Sequence, residues 1–206
     1  MAMNKVIVIG GGAAGMMAAI AAARRGARVT LLEKNEKTGK KIYITGKGRC
    51  NLTNACETED FFSHVITNGK FLYSSVYQMD SHAVMTFFEE AGCSLKTERG
   101  ERVFPVSDHS SDVINTLNRQ MEKCHVKVLL HTKVEQIEVG EDQQTPGVTG
   151  VLLSDGKRLP ADAVIVATGG MSYASTGSTG DGYRFAKKLS HTVKEPVPAL
   201  VPLTVK

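Results

Sequence analysis

The sequence predicts an α/β fold: a parallel central sheet with an inserted antiparallel β-meander. Three observations predict it. An apolar strand runs into a glycine-rich turn near the start, a second apolar run comes late in the chain, and short alternating strands lie between them. The 206 residues are 42% hydrophobic and 22% charged, which is ordinary for a globular protein. The formal net charge of +4 permits an anionic ligand without demanding nucleic acid.

The first 33 residues carry the strongest pattern. An apolar strand at residues 6–9 leads into GGGAAG at residues 10–15, then into an alanine-rich helix and a second strand that ends at Glu33. Glycine allows the tight turn at Gly10, close approach of a pyrophosphate at Gly12, and helix–strand packing at Gly15. The helix N-terminus offers free N–H groups and a positive dipole end. A carboxylate at Glu33 suits ribose hydroxyls and disfavours a 2′-phosphate, so a Rossmann-like dinucleotide unit is expected.

The middle of the chain mixes loop, helix and strand signals. A polar loop at residues 34–54 follows Glu33, and a loop as long as this one is usually functional. The helical stripe that follows it is predicted to be core and not a cofactor-contacting face. Alternating strands and a turn then predict the meander. The predicted segments are the loop 34–54, helices 71–91 and 111–123, strands 126–130, 134–139 and 148–153, and the turn 154–157.

A second central strand is predicted at residues 163–167, a continuous apolar run typical of a strand buried on both faces. It ends at Thr168-Gly169-Gly170, and ligands of doubly wound sheets lie outside the carboxyl ends of the strands. Both glycine turns are therefore expected to face one ligand. A glycine-rich segment at 176–182 leads into a helix at 183–189, and prolines from residue 196 onward mark an extended linker.

Cysteine and histidine usage indicates neither a metal site nor a secreted scaffold. Four cysteines and six histidines show no metal-ligand or catalytic-triad spacing. No stretch approaches the ~20 apolar residues of a membrane span. A cytoplasmic protein without a metal or a membrane partner is expected.

The loop carries a more specific pattern. Residues 45–54 (TGKGRCNLTN), together with 100–105 (GERVFP) and 175–182 (STGSTGDG), resemble the bacterial BaiN-type, aminoacetone-oxidase-like NAD(P)/FAD-dependent oxidoreductases. The resemblance covers essentially the whole chain. It implies a fumarate-reductase-like, FAD-binding domain at residues 1–192 and a linker at 193–206 toward an inserted substrate domain. Family members run to about twice this length, so the chain is expected to be an N-terminal portion.

The resemblance also implies a chemistry and a set of site residues. The chemistry is hydride transfer through flavin N5, with NADH or NADPH as a transient donor. The implied acceptor is an activated carbon–carbon double bond, in a small steroid-like enone or a uracil base of RNA. Arg49 is expected where its loop meets the flavin, and the Val134 backbone near the adenine. The candidate FAD-binding residues are Gly10, Gly12, Ala13, Ala14, Gly15, Glu33, Lys34, Lys41, Gly46, Gly48, Arg49, Cys50, Asn51, Val134, Ala167, Thr168, Gly169 and Asp181.

Two other functions stay open at this point. A flavin disulfide reductase would use Cys50 and Cys56, but five residues separate them where such enzymes have four, which turns the second thiol away. A dinucleotide-binding module without catalysis is the other alternative. No second strand followed by G-x-G-x-x-G appears between residues 34 and 206, so a stable NAD(P) domain of the disulfide-reductase kind is not expected.

Overall fold

The computed structural model describes residues 4–140 and 147–198. Within these ranges strands and helices follow each other in the order predicted for an α/β domain, and the strands fall into three separate sheets. The strands are β1 (Lys5–Ile9), β2 (Arg28–Leu32), β3 (Thr53–Asn54), β4 (Leu95–Glu98), β5 (Arg102–Pro105), β6 (Lys127–Leu129), β7 (Val134–Val139), β8 (Val148–Leu153), β9 (Arg158–Pro160) and β10 (Ala163–Val166).

Within the described residues one α-helix connects the first two strands, five lie between later strands and one follows the last strand. The longest two, α1 and α6, contact each other beside the central sheet. The α-helices are α1 (Ala13–Arg24), α2 (Lys40–Ile44), α3 (Thr58–Ser63), α4 (Tyr73–Gln78), α5 (Ser81–Glu90), α6 (Ser110–Lys123) and α7 (Asp181–Lys188).

Among the described residues the central sheet has four strands, all parallel, in the order β10-β1-β2-β6. The parallel sheet was predicted, but this order was not. Val8 and Leu31 are fully buried because β1 and β2 lie inside the sheet. The late apolar strand differs from its prediction. Ala163 and Val166 are exposed, because β10 lies at an edge of the sheet within the described part of the chain. An apolar run predicts a strand, but it does not predict whether other strands pair with it on both sides.

Alternating side chains of the central sheet belong to two cores. Val8 and Leu31 pack on the face covered by α1, α5 and α6, where Met16 and Leu117 are almost inaccessible to solvent. Ile7, Ile9 and Leu32 belong to the other core, which β7, β8 and Phe185 of α7 complete. The carboxyl ends of β1, β2 and β10 are thereby held between a helical layer and the meander.

The meander is confirmed as the antiparallel sheet β7-β8-β9, with Val134 opposite Leu153. The sequence predicted the wrong sheet for one strand, which was expected in the meander. The predicted strand 126–130 forms β6, which pairs in parallel with β2 and extends the central sheet (Thr30 opposite Lys127). Its three paired residues carry a strand signal but nothing local that specifies the partner.

Two segments differ from their sequence predictions, the loop 34–54 and the helix 71–91. The loop 34–54 contains α2, a 3₁₀ turn (Thr45–Gly48) and β3, which joins the hairpin β4–β5 in a three-stranded sheet that was not predicted. The predicted helix 71–91 is divided into α4 and α5, because the Asp80 carboxylate accepts from Ala83 N at 2.8 Å and caps a new helix. Residues 191–198 form no helix or strand, and 199–206 of the predicted linker lie outside the described residues.

Candidate functional site

A cavity of about 970 Å³ opens at the carboxyl ends of β1, β2 and β10. Four of the predicted site residues do not line it: Gly15, Gly46, Gly48 and Arg49. The other fourteen do, which places side chains from opposite ends of the sequence around one space. They are Gly10, Gly12, Ala13, Ala14, Glu33, Lys34, Lys41, Cys50, Asn51, Val134, Ala167, Thr168, Gly169 and Asp181.

The glycine turn between β1 and α1 is closed on two sides and open on the third. A Cβ at Gly10 would lie 2.5 Å from the Ala167 carbonyl oxygen, and one at Gly15 would collide with the carbonyl oxygen of Gly10. A Cβ at Gly12 would have no neighbour within 4 Å. Gly10 and Gly15 therefore allow β1, β10 and α1 to approach each other, while Gly12 leaves its backbone accessible from the cavity.

The N-terminus of α1 has no side-chain cap. Gly12 occupies the N-cap position, and no acidic residue lies in the first turn. Ala13 and Ala14, whose amides belong to that turn, line the cavity. Unpaired N–H groups and the positive end of a twelve-residue helix form a site for an anion such as a pyrophosphate.

The Glu33 carboxylate lies in the cavity wall at the end of β2 and is only 7% exposed. One oxygen accepts from Gly11 N at 2.7 Å, and the other accepts from Asn35 N at 2.8 Å and Asn35 Nδ2 at 2.6 Å. These donors fix the carboxylate, and the oxygen that accepts from Gly11 N keeps a second lone pair for a ligand hydroxyl. Val134, 4% exposed at the start of β7, lines the wall together with Lys133.

The end of β10 supplies a polar group without a partner. Among the residues that the structure describes, the buried Thr168 hydroxyl has no hydrogen-bond partner. Gly182 comes close to it, since a Cβ there would lie 2.8 Å from Thr168 Oγ1. A buried unpaired hydroxyl is unfavourable unless a ligand or water completes it, so its place in the cavity wall indicates a ligand contact.

Lys34 and Lys41 link the segment after β2 to the segment after β10. Lys34 Nζ donates to Thr179 Oγ1 and to Asp181 Oδ2, both at 2.6 Å, and Lys41 Nζ donates to the Ser172 carbonyl oxygen at 2.7 Å. Burial alone would raise the pKa of Asp181, but Lys34, Thr179 and Arg184 outweigh it and hold that pKa below its ordinary value. The Asp181 carboxylate therefore stays ionised at neutral pH.

This shift predicts an acid-dependent loss of stability. A lowered carboxylate pKa contributes stability above the pKa of the unfolded chain, and the contribution is lost as pH falls through the folded value, from about pH 4 downward. Asp181→Asn is expected to lower the urea midpoint of the apoprotein at pH 7. Below pH 4 the midpoint of this variant should fall less steeply with decreasing pH than that of wild type. Asp155→Asn is the matched control, because the pKa of Asp155 is also lowered, mainly by Lys157, but its pair is exposed. An equal effect of both substitutions would contradict this account.

The loop at residues 45–52 lines the cavity with Thr45, Cys50, Asn51 and Leu52, while Arg49 does not line it. Its guanidinium contacts Asp108 (Nε to Oδ1, 2.7 Å) and Glu98, and stacks 4.2 Å from the Phe104 ring centroid. The expectation that Arg49 meets the ligand therefore differs from the structure, because two acids of the unpredicted hairpin region hold its charge. Gly46 and Gly48 have positive φ and shape the turn without lining the cavity.

Cys50 and Cys56 are both free thiols. Cys50 is 5% exposed in the cavity wall, and burial, partly offset by its hydrogen bond with Thr45, raises the pKa of its thiol. A raised pKa makes a poor nucleophile at neutral pH. Cys56 does not line the cavity, so the structure does not bring the two thiols together at the candidate site.

Part of the cavity wall is apolar and was not predicted as part of the site. The helical stripe that was predicted as core supplies Val84 and Phe88, which belong to the core and line the cavity as well. Asn35, which holds Glu33, was also missed, although its position two residues after the carboxylate is the local signal for such a turn. Further apolar lining residues include Met17, Ile42, Leu52, Val113 and Leu117.

The described residues show neither a metal site nor a membrane-spanning helix. Residues 4–140 and 147–198 contain no group of three or more His, Cys, Asp or Glu side chains placed to hold a metal ion. In the same ranges no helix combines the length and apolar character that crossing a bilayer requires.

Comparisons with known proteins place this cavity in context. Residues 4–199 match the family described as HI0933-like protein Rossmann domain. The chain is 40% identical to a 3-dehydro-bile acid delta(4,6)-reductase of Clostridium scindens, over 99% of the chain and 48% of that protein. It is 30% identical to a ribosomal RNA dihydrouridine synthase of Haemophilus influenzae, over 96% of the chain and 48% of that protein. The chain thus spans about half the length of the curated relatives it matches.

A solved structure shares the fold. The 3-ketosteroid-delta4-(5alpha)-dehydrogenase of Rhodococcus jostii superposes with a TM-score of 0.61 at 18% identity, over 82% of this chain and 47% of that one. At this identity the likeness concerns the fold alone.

Proposed function

The chain belongs to the family of HI0933-like proteins, whose Rossmann domain it matches over residues 4–199, and we propose that its cavity binds FAD in an FAD-dependent oxidoreductase. The observation that carries this proposal is the meeting of three groups around one cavity. They are the N-terminus of α1 and the Thr168 hydroxyl, neither of which has a side-chain partner among the described residues, and the buried Glu33 carboxylate. An anion site, a ribose-type acceptor and an unsatisfied hydroxyl fit the successive parts of a flavin dinucleotide.

Each part of FAD has a matching group in the wall. The amides of Gly12, Ala13 and Ala14 would hold the pyrophosphate, and Glu33 would accept from the adenosine ribose. The backbone at Val134 would contact the adenine. Thr168 and Asp181, on the β10 side of the cavity, would contact the ribityl chain, whose hydroxyls suit a hydroxyl and a carboxylate.

The reactive end would lie against the loop at Cys50 and Asn51 and the turn at Gly169. When bound, FAD supplies hydride transfer. The chain supplies orientation and electrostatics, and apolar side chains such as Val84 and Phe88 keep water from that part of the wall.

For the reaction, we propose reduction of an activated carbon–carbon double bond with NADH or NADPH as donor. The printed name of the 40% identical relative is that of a delta(4,6)-reductase. A second relative is named a synthase of dihydrouridine in ribosomal RNA. The acceptor is therefore either a small-molecule enone or a uracil base in RNA.

Anaerobic titration of the full-length flavoprotein with NADH and with NADPH tests this proposal. Bleaching of the flavin absorbance by one of them, followed by recovery on adding a steroid enone or a uridine-containing RNA, is expected and identifies the acceptor class. Bound flavin that neither nucleotide bleaches would overturn the oxidoreductase proposal and favour a binding module without catalysis.

Serine substitutions separate the proposed reaction from disulfide reduction. Because the pKa of Cys50 is raised and Cys56 does not line the cavity, Cys50→Ser and Cys56→Ser are expected to keep flavin reduction and turnover within about threefold of wild type. Loss of turnover in both variants, with flavin still bound, would instead establish a redox cysteine pair.

A further inference from the structure

The backbone at residues 46–50 adopts a conformation that side chains disfavour. Gly46, Lys47, Gly48 and Cys50 all have φ between +56° and +87°. Two of these four are not glycine, and left-handed backbone is unfavourable for L residues. Backbone bonds that close the turn run from Arg49 N to Gly46 O at 3.2 Å and from Cys50 N to Thr45 O at 3.0 Å. Contacts from outside the turn add to these bonds.

Arg49 provides the side-chain support. Its Nη2 lies 2.6 Å from Asp108 Oδ1, and its Nη1 lies 3.3 Å from Glu98 Oε2. Lys96 Nζ donates to the second Asp108 oxygen at 2.7 Å, so two cations and two carboxylates form a closed group. The planar guanidinium also stacks on Phe104 of β5.

The residues after Arg49 are tied to the same hairpin. Leu52 N donates to Val103 O at 2.8 Å. When the Asn51 side-chain amide is oriented with Nδ2 toward the Thr53 and Val103 carbonyl oxygens, it donates to them at 3.1 and 3.3 Å. The hairpin therefore holds the loop on both sides of Cys50, which lines the cavity.

We infer that Arg49 is a positioning residue, whose contacts with Glu98, Asp108 and Phe104 hold the turn 46–50 so that Cys50 and Asn51 form the cavity wall. Only the expected effect on flavin binding rests on the proposed FAD site, since a displaced wall would weaken binding of the flavin. Arg49 acts through the loop and not by placing its own charge on the ligand.

The charges of the network support this role. The hydrogen bond to Arg49 lowers the pKa of Glu98, and Lys96 followed by Arg49 lowers the pKa of Asp108. Both carboxylates stay ionised at neutral pH and balance the two cations. The guanidinium charge is thus neutralised away from the cavity.

The test measures FAD affinity of the full-length protein and amide hydrogen exchange of its apo form. Arg49→Gln and Arg49→Lys are both expected to weaken FAD binding about 10-fold or more, because lysine cannot reproduce the two-carboxylate fork and the ring stacking. Both substitutions should also increase the rate of amide hydrogen exchange at residues 46–52 in the protein without FAD. The matched control is Arg102→Gln. Arg102 also lies over Phe104, at 5.9 Å, but in the described part of the chain its side chain donates only to the Arg99 carbonyl oxygen. The FAD affinity of this variant should stay within about twofold of wild type.

Glu98→Gln separates the two roles of Arg49. A positioning role predicts weaker FAD binding and faster exchange at residues 46–52, because a contact of the guanidinium is lost. A direct role predicts tighter binding, because the freed cation could turn to the flavin. Tighter binding by Glu98→Gln, or wild-type affinity and exchange in Arg49→Lys, would overturn the inference. Failure of the wild-type protein to bind FAD would instead overturn the proposed function, while the exchange of the apo form would still test Arg49.

Discussion

Gly12→Asp is expected to fold normally and to lose most FAD affinity. Gly12 is the N-cap of α1 with φ −81°, a conformation open to any residue, and a Cβ there meets nothing within 4 Å. Aspartate is a favourable N-cap, so the apoprotein should be at least as stable as wild type. Its carboxylate would occupy the anion site and repel a pyrophosphate. Like charges in such contact cost several kcal/mol, and affinity should fall by at least about 100-fold.

Gly12→Asn separates charge from capping in this experiment. Asparagine caps a helix as well and has a similar size but no charge, so it should lose clearly less affinity than aspartate. Calorimetric titration with FAD measures both variants. Wild-type affinity in Gly12→Asp would show that the pyrophosphate does not lie at the N-terminus of α1.

Gly15→Ala is expected to have the largest effect on stability. Alanine in a helix interior normally stabilises it by about 1 kcal/mol over glycine. Here the new methyl would collide with the carbonyl oxygen of Gly10, and its Cβ would also lie 3.4 Å from that of Ala167. Because the colliding atom belongs to the backbone, α1 must move away from β1. A net loss of about 3 kcal/mol in the free energy of unfolding is expected, measured by urea denaturation of the apoprotein.

Gly12→Ser is the control for that measurement. It adds a side chain three residues away, at a site with open space and a favourable cap, and should change stability by less than about 0.5 kcal/mol. If Gly15→Ala unfolds at the wild-type urea concentration, close packing of α1 on the turn is not what requires glycine there.

The sequence was informative wherever the determining contacts are local. The turn from β1 to α1 and the carboxylate of Glu33 follow from spacing within one β-α-β unit, and both line one cavity in the structure. The resemblance drawn from residues 45–54 is confirmed by the family match. The division of the predicted helix at Asp80 had a local signal as well, since an aspartate before an apolar run is a strong N-cap.

Other features depend on residues far apart in the chain. Arg49 is neutralised by Glu98 and Asp108, which lie 49 and 59 positions away in a hairpin region that was not predicted. The partner of β6 and the exposed edge of β10 are also set by pairing across the sheet. Composition and periodicity describe a segment's own preferences, so they could not place these contacts.

The central claim is that the cavity at the ends of β1, β2 and β10 binds FAD. Titration of the purified full-length apoprotein with FAD, followed by visible absorbance and calorimetry, tests it most directly. The account predicts one FAD per chain, with a yellow complex that Gly12→Asp does not form at the same concentrations. Absence of bound flavin in wild type after addition of FAD, or equal binding by Gly12→Asp, would contradict it.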